Sequence, residues 1–366
     1  MNNDVRPLAV LVKAIGLFVL INLLYAMVQP PLSELSLYNL LFRGLERLPF
    51  SNGNNPFVAS IDNVDAMFAS HTITRRKASD EVRVAVIGDS SVWGENLYLP
   101  ETLTGQWNQL EMQCGGKTMR VYNLGYPHPS MVKDLIFLKK TTAYQPDVIV
   151  WLITLNTLSS KRVNPVLIEN REYAIDLLKR YNLGFSEEKT LAGSGRSFFD
   201  KTIIGRRSFL ARWIKLQALC LVWSVTGRDF DRPVPVQLTS PDVSDDTNYR
   251  NFKEGADLRR IMLVDALAAG HEIADGIPIL LVNEPMFVAD GLNSDVRYND
   301  FYPRWAYDQY RDVVAADVQG NAWKYLDLWN FIPGGYFTDT ALHLNAEGER
   351  LLAERLNGEV HSLICQ

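Results

Sequence analysis

The stretch VRVAVIGDSSVWGE, residues 82–95, decides how the rest of the chain is read. Val82, Val84, Ala85, Val86 and Ile87 form a nearly continuous apolar, mostly β-branched run, the pattern of a strand covered on both faces in a parallel sheet. Gly88, Asp89, Ser90 and Ser91 then break the run. A turn placed there lies at the carboxyl edge of the sheet, where open α/β folds hold their ligands. Taken singly, Asp or Ser ahead of a helix is an ordinary cap. What Ser90 means therefore depends on what the other strand ends bring to the same edge.

Four more strand-like runs follow: MRVYNLG at 119–125, DVIVWLITL at 147–155, IPILLVNEP at 277–285 and KYLDLW at 324–329. Helix-like stretches such as SMVKDLIFLKKTTAY (130–144) and WAYDQYRDVVAADV (305–318) alternate with them. The pattern predicts a doubly wound α/β fold, a five-stranded, mainly parallel sheet between two helical layers. An insertion at about 160–255 separates the third and fourth strands and is longer than a crossover needs. It contains SFLARWIKLQALCLVWSVTG (208–227), apolar nearly all round from Leu216 to Val225 and closed by a Gly227 cap. With Arg212 and Lys215 inside, this run is short for a second span and is expected as a buried helix. A membrane-dipping or partner-docking helix is the other reading. GSGRS (193–197) is expected as a loop, as is the Pro- and Asp-rich DRPVPVQLTSPDVSDDTN (231–248).

The 366 residues are 47% hydrophobic and 22% charged, the composition of a folded protein. A net charge of -5 gives no general reason to expect nucleic acid as a partner. Cys114, Cys220 and Cys365 are scattered and odd in number, suggesting neither a disulfide framework nor a metal site. Residues 8–28, LAVLVKAIGLFVLINLLYAMV, are apolar apart from Lys13 and Asn22 and long enough to cross a bilayer. The poor cleavage site at Ala26-Met27-Val28 favours an uncleaved anchor over a signal peptide. Arg6, Lys13 and the amino terminus favour a cytoplasmic first flank, placing the bulk of the chain outside the cytoplasm. The expected division is an anchor at 1–31, a juxtamembrane segment at 32–80 with a polar turn cluster SNGNNP at 51–56, and a folded domain at 81–366.

Cleaving an ester with a serine requires a base, a group that orients the base, and donors for the developing oxyanion. Ser90 follows the first strand, Gly125 ends the second in YNLGYP, and Asn156 ends the third in ITLNT. Asp339 and His343 stand just before the last helical stretch in FTDTALHLNAEGERLL. His343 is the natural base, with Asp339 as its orienter. The backbone amides of Ser90 and Gly125 and the Asn156 amide are candidate oxyanion donors. Glu284, also at a strand end, is expected to cap a loop or contact substrate, and His128 to be a loop residue near the cleft.

Those blocks resemble the SGNH, or GDSL-type, hydrolases. Gly88-Asp89-Ser90-Ser91, Gly125, Asn156 and Asp339 with His343 match the family's blocks in order over residues 82–350, leaving the insertion unmatched. Two departures stand out. The asparagine block usually reads Gly-x-Asn-Asp but here is Thr154-Leu155-Asn156-Thr157, and the last usually reads Asp-x-x-His, whereas Asp339 and His343 are four apart. The resemblance implies a serine nucleophile at Ser90, no cofactor, and an acyl-ester or glycan substrate. An SGNH-like domain on an amino-terminal anchor further resembles the accessory partners of membrane-bound O-acyltransferases, which implies O-acyl, commonly acetyl, transfer or hydrolysis on cell-surface carbohydrate. A non-catalytic envelope protein that binds glycan or scaffolds an acyltransferase complex is the alternative.

Overall fold

The first strand, β1 (Glu81–Gly88), lies inside a sheet whose other members are β2 (Gln113–Cys114), β3 (Lys117–Gly125), β4 (Val148–Ile153), β5 (Ile279–Asn283) and β6 (Lys324–Asp327). The computed structural model describes residues 7–42, 44–50, 61, 63–159, 171–181, 197–226 and 238–365. The strand order is β2-β3-β1-β4-β5-β6, and every pairing is parallel except that of β2 with β3. The chain leaves β1 to build first on one side of it and then on the other. The end of β1 is thus the switch point at which doubly wound sheets open a crevice.

The sheet has six strands, where five were expected. The addition is β2, two residues turned back onto β3 through Gly115 and Gly116 at φ 57° and 78°. Two residues are too few to show any periodicity, and only the Gly-Gly pair announces the hairpin. Cys114 in this hairpin is joined to Cys365 by a disulfide, Cα to Cα 5.2 Å across a sequence separation of 251. That bond corrects the expectation of no disulfide: the two cysteines meet only because the last helix returns along the β2 edge.

The helices are α1 (Pro7–Val28), α2 (Leu37–Leu41), α3 (Val64–Ser70), α4 (Ser90–Trp93), α5 (Leu103–Gln109), α6 (Met131–Thr142), α7 (Leu155–Ser159), α8 (Arg171–Arg180), α9 (Arg207–Thr226), α10 (Asp265–Ala274), α11 (Arg304–Asn321) and α12 (Ala346–Ile364). Alternation along β1 divides the core in two. Val82, Val84 and Val86 pack with Trp107 of α5 and Leu352, Leu356 and Val360 of α12. Ala85 and Ile87 face the other layer, with Leu135 and Ile136 of α6, Leu267 of α10 and Tyr307 and Tyr310 of α11. The architecture is therefore three layers, α/β/α. Tyr38, Leu45, Leu48, Ile61, Met67 and Phe68, from the stretch between α1 and β1, join this second core.

Helix α1 has the length and apolar composition of a membrane anchor or signal sequence, and only Asn22 and Ala26 on it are buried. Helix α9 differs from the buried helix expected: Phe209, Leu216 and Cys220 are its only buried residues, and its opposite face is exposed. The turn cluster 51–56, the Gly227 cap, residues 193–196 of GSGRS and the 231–237 part of the Pro- and Asp-rich loop lie outside the described residues.

Candidate active site

Immediately after β1, the Asp89 carboxylate accepts the Ser91 amide at 3.0 Å and caps the single turn α4, which Gly94 ends at φ 81°. Ser90 is the first residue of that turn. Its own backbone N–H therefore has no partner within the helix and points out of the helix start. Ser91, one position on, donates to Oε2 of Glu284 at 2.5 Å, which ties the turn to the end of β5. Beneath it, the buried Lys133 ammonium donates to the Gly88 carbonyl at 2.7 Å and the Tyr126 carbonyl at 3.2 Å, and pairs with Asp134 at 2.8 Å. Ser90 is thus held on a rigid mount tied to three strand ends and α6.

From the far end of the chain, the turn before α12 brings the His343 Nε2 to 2.9 Å from the Ser90 Oγ. On its other side Nδ1 lies 3.0 Å from the Asp339 Oδ1. The four-residue separation is absorbed locally. Thr338 N–H donates to the His343 carbonyl at 2.8 Å, closing a turn, and inside it the Thr340 hydroxyl accepts the amides of Leu342 and His343 at 3.3 and 3.2 Å. Thr338 also donates its hydroxyl to Asp339 at 3.2 Å. A threonine at the centre of the turn thereby takes up the additional residue by side-chain to backbone bonding.

Burial by itself would lower the His343 pKa, but the Asp339 hydrogen bond and charge, with Glu95 and Asp89 nearby, hold it above the ordinary imidazole value. Asp339 is half-buried, which alone would raise its pKa, yet its bonds to His343 and Thr338 hold it below the usual carboxylate value. The geometry is that of a carboxylate fixing the imidazole tautomer whose Nε2 faces a hydroxyl. Glu95, two residues past the end of α4, stands 3.9 Å from the same Nε2. Sequence patterning gave no sign of it, because its place beside the ring comes from the left-handed turn at Gly94.

The two other strand-end residues behave differently from one another. Asn156, in α7, accepts on Oδ1 from the Tyr249 hydroxyl at 3.1 Å and from Arg250 at 3.4 Å. Its Nδ2 has no partner among the described hydrogen bonds and remains the donor end. Gly125 donates its amide to the Asn123 side chain at 3.0 Å. A Cβ there would stand 2.4 Å from the Trp93 nitrogen and 2.7 Å from the Val92 carbonyl carbon. Glycine at 125 lets α4 pack directly on β3, and its amide is already engaged, so it is not an open oxyanion donor. His128, exposed in the loop beyond, takes φ 89°, a left-handed conformation uncommon for a non-glycine residue.

Glu284 is buried, and burial together with the Asp89 charge pushes its pKa well above the usual carboxylate value. Bonded to Ser91, it serves the mount beneath the Ser90 turn. Its place at the end of IPILLVNEP made it visible as a candidate, but its raised pKa follows only from its depth. Among the described residues no group of three His, Cys, Asp or Glu side chains is placed to hold a metal ion.

No protein-family model matches the chain, and no curated protein matches it by sequence. Among solved structures it is similar to a carbohydrate acetylesterase from Sinorhizobium meliloti, at 12% identity and TM-score 0.34 over 77% of this chain and 99% of that one. It is also similar to a member of the lipolytic G-D-S-L family from Veillonella parvula, at 10% identity and TM-score 0.36 over 76% and 96%. A third likeness is to the aryl esterase of M. smegmatis, at 13% identity and TM-score 0.34 over 77% and 99%.

Proposed function

We propose that the protein is a serine O-acyl esterase or transferase, anchored by its amino-terminal helix and acting outside the cytoplasm on acylated, most simply acetylated, cell-surface carbohydrate. The observation that carries this reading is the line Ser90 Oγ, His343 Nε2, His343 Nδ1, Asp339 Oδ1, with contacts of 2.9 and 3.0 Å at the mouth of the sheet. The Ser90 Oγ attacks the acyl carbonyl while His343 Nε2 takes its proton, and the carbonyl oxygen gains the electron pair. The Ser90 amide and the Asn156 Nδ2 are the donors available to that oxyanion. Collapse expels the alkoxide, which leaves with the proton from His343, and the acyl group stays on Ser90. Water or a sugar hydroxyl then repeats the steps in reverse, giving free acid or a new ester.

Location outside the cytoplasm is supported by the Cys114–Cys365 disulfide, since such bonds persist in oxidising compartments. A membrane-bound O-acyltransferase is the partner that would supply acyl groups if transfer dominates. The test is incubation of the full-length protein with acetylated oligosaccharide and with a small acetyl ester, followed by mass spectrometry of the Ser90 peptide. An acetyl adduct on Ser90, absent from Ser90→Ala, is expected. Well-folded protein that never acquires the adduct and releases no acetate would reject the enzyme and leave a glycan-binding or scaffolding protein. The product then divides the two reactions: acylated acceptor exceeding free acid marks a transferase.

A further inference from the structure

Between its first turn and Thr226, the exposed face of α9 is apolar apart from Lys215, where a water-facing helix would be polar. Ile214, Leu221, Val222 and Val225 are 60%, 45%, 52% and 73% exposed. They follow helical spacing along one side, opposite the buried Phe209, Leu216 and Cys220. Just ahead of the helix, Phe198 and Phe199 are 56% and 54% exposed.

Bonds to α1 fix the level of this region. Gln29, one residue past the end of α1, donates its side chain to the Lys201 carbonyl at 2.7 Å, and the Ile204 amide donates to the Asn22 Oδ1 at 3.2 Å. Asn22 is six residues before the end of α1 at Val28, about 9 Å along the axis at the rise of an α-helix. Ile204 is therefore docked about two turns inside the carboxyl end of a helix that spans the hydrocarbon layer with little length to spare. Asn22 also satisfies the Ile204 N–H, a group that would be costly to leave unpaired at that depth. Whatever surrounds the last turns of α1 also meets the start of α9.

We propose that residues 198–226 form a second membrane contact, with Phe198, Phe199 and the Ile214–Leu221–Val225 stripe of α9 lying in the boundary between headgroups and acyl chains. The inference rests on the reading of α1 as an anchor and adds what that reading lacks, a second point of attachment. One helix would hold the folded part only through its bonds to α1, whereas two contacts fix the height and tilt of the Ser90 cleft above the bilayer. The occupant is lipid, because the level is set by α1 within the same chain and needs no other protein.

The test uses full-length protein in a Cys220→Ser background, reconstituted in phosphatidylcholine and phosphatidylglycerol vesicles. Nitroxides are attached singly at Phe199→Cys, Leu221→Cys and Leu17→Cys, and depth is read from oxygen and nickel accessibility against labelled lipids. Labelling by an active-site serine probe, or unchanged thermal unfolding if Ser90 proves unreactive, verifies that each variant is folded. The labels at 199 and 221 are expected about 5–10 Å below the phosphate level, with that at 17 deep in the hydrocarbon. Labels at 199 and 221 in water while 17 is deep overturn the second contact alone, and point to a protein partner for this face. A label at 17 in water removes the anchor and, with it, the second contact.

Discussion

Two carboxylic acids stand at the same sheet edge, each linked to a serine of the Ser90-Ser91 pair, and their pKa values are moved in opposite directions. Asp339 reaches Ser90 through His343, keeps contact with solvent, and is held ionised by the imidazole and the Thr338 hydroxyl. Glu284 touches Ser91 directly and is sealed from water, and burial with the Asp89 charge pushes its pKa up. The same functional group is thus pushed towards its charged form beside an imidazole and towards its protonated form in the core, by burial, by hydrogen bonding and by the sign of the neighbour.

The sharpest way to break this comparison is to remove the chemistry that only one acid serves. Ser90→Ala and His343→Ala are each expected to lower kcat/KM by on the order of 10⁴-fold or more, measured with a small acetyl ester. Asp339→Asn should cost roughly 10²–10⁴-fold, because the amide can hold the wrong tautomer and offers no charge to the imidazolium. A loss below tenfold there would mark a Ser-His dyad. Asn156→Ala should cost on the order of 10²-fold, the usual worth of one oxyanion donor.

Glu284→Gln keeps the shape of the protonated acid and is expected to cost less than about tenfold in rate, under about 1.4 kcal/mol. Its mark lies in stability. The folded protein holds the Glu284 proton above the ordinary carboxylate pKa, so stability is full below that value and is lost as pH rises through the folded pKa. The Gln variant should lose less stability than wild type between acid and neutral pH, as read by denaturant unfolding. The smallest effect concerns the acid limb of kcat/KM, which requires neutral His343 and so should fall above the ordinary imidazole pKa. Glu95→Gln removes one negative charge 3.9 Å from Nε2 and should move that limb to lower pH. Movement to higher pH would contradict the placement of Glu95.

The five parallel strands were legible because each carries a mainly apolar run, and their ends named Ser90 and Asn156, with Asp339 and His343 named by their place before the last helix. Gly125 was legible as a special position, but for a different reason than expected: its missing Cβ accommodates α4, a contact between segments that no local pattern records. The spacing of Asp339 and His343 looked one residue too long until Thr340 was seen to take two amides inside the turn. Glu95 and Lys133 depend on the three-dimensional approach of turns and strand ends, and α9 on which of its apolar sides finds a neighbour. Composition reveals that a helix is greasy, not what covers it.

The Cys114–Cys365 bond turns most of the molecule into a covalent ring. The helix α1 and Cys114 lie on one side of any cut made in the insertion, and His343 and Cys365 on the other. A protease that nicks the insertion would therefore sever the backbone without shedding either piece. Ser90 and His343 would stay on one tethered particle, and two bands would separate on a gel only after a reductant is added.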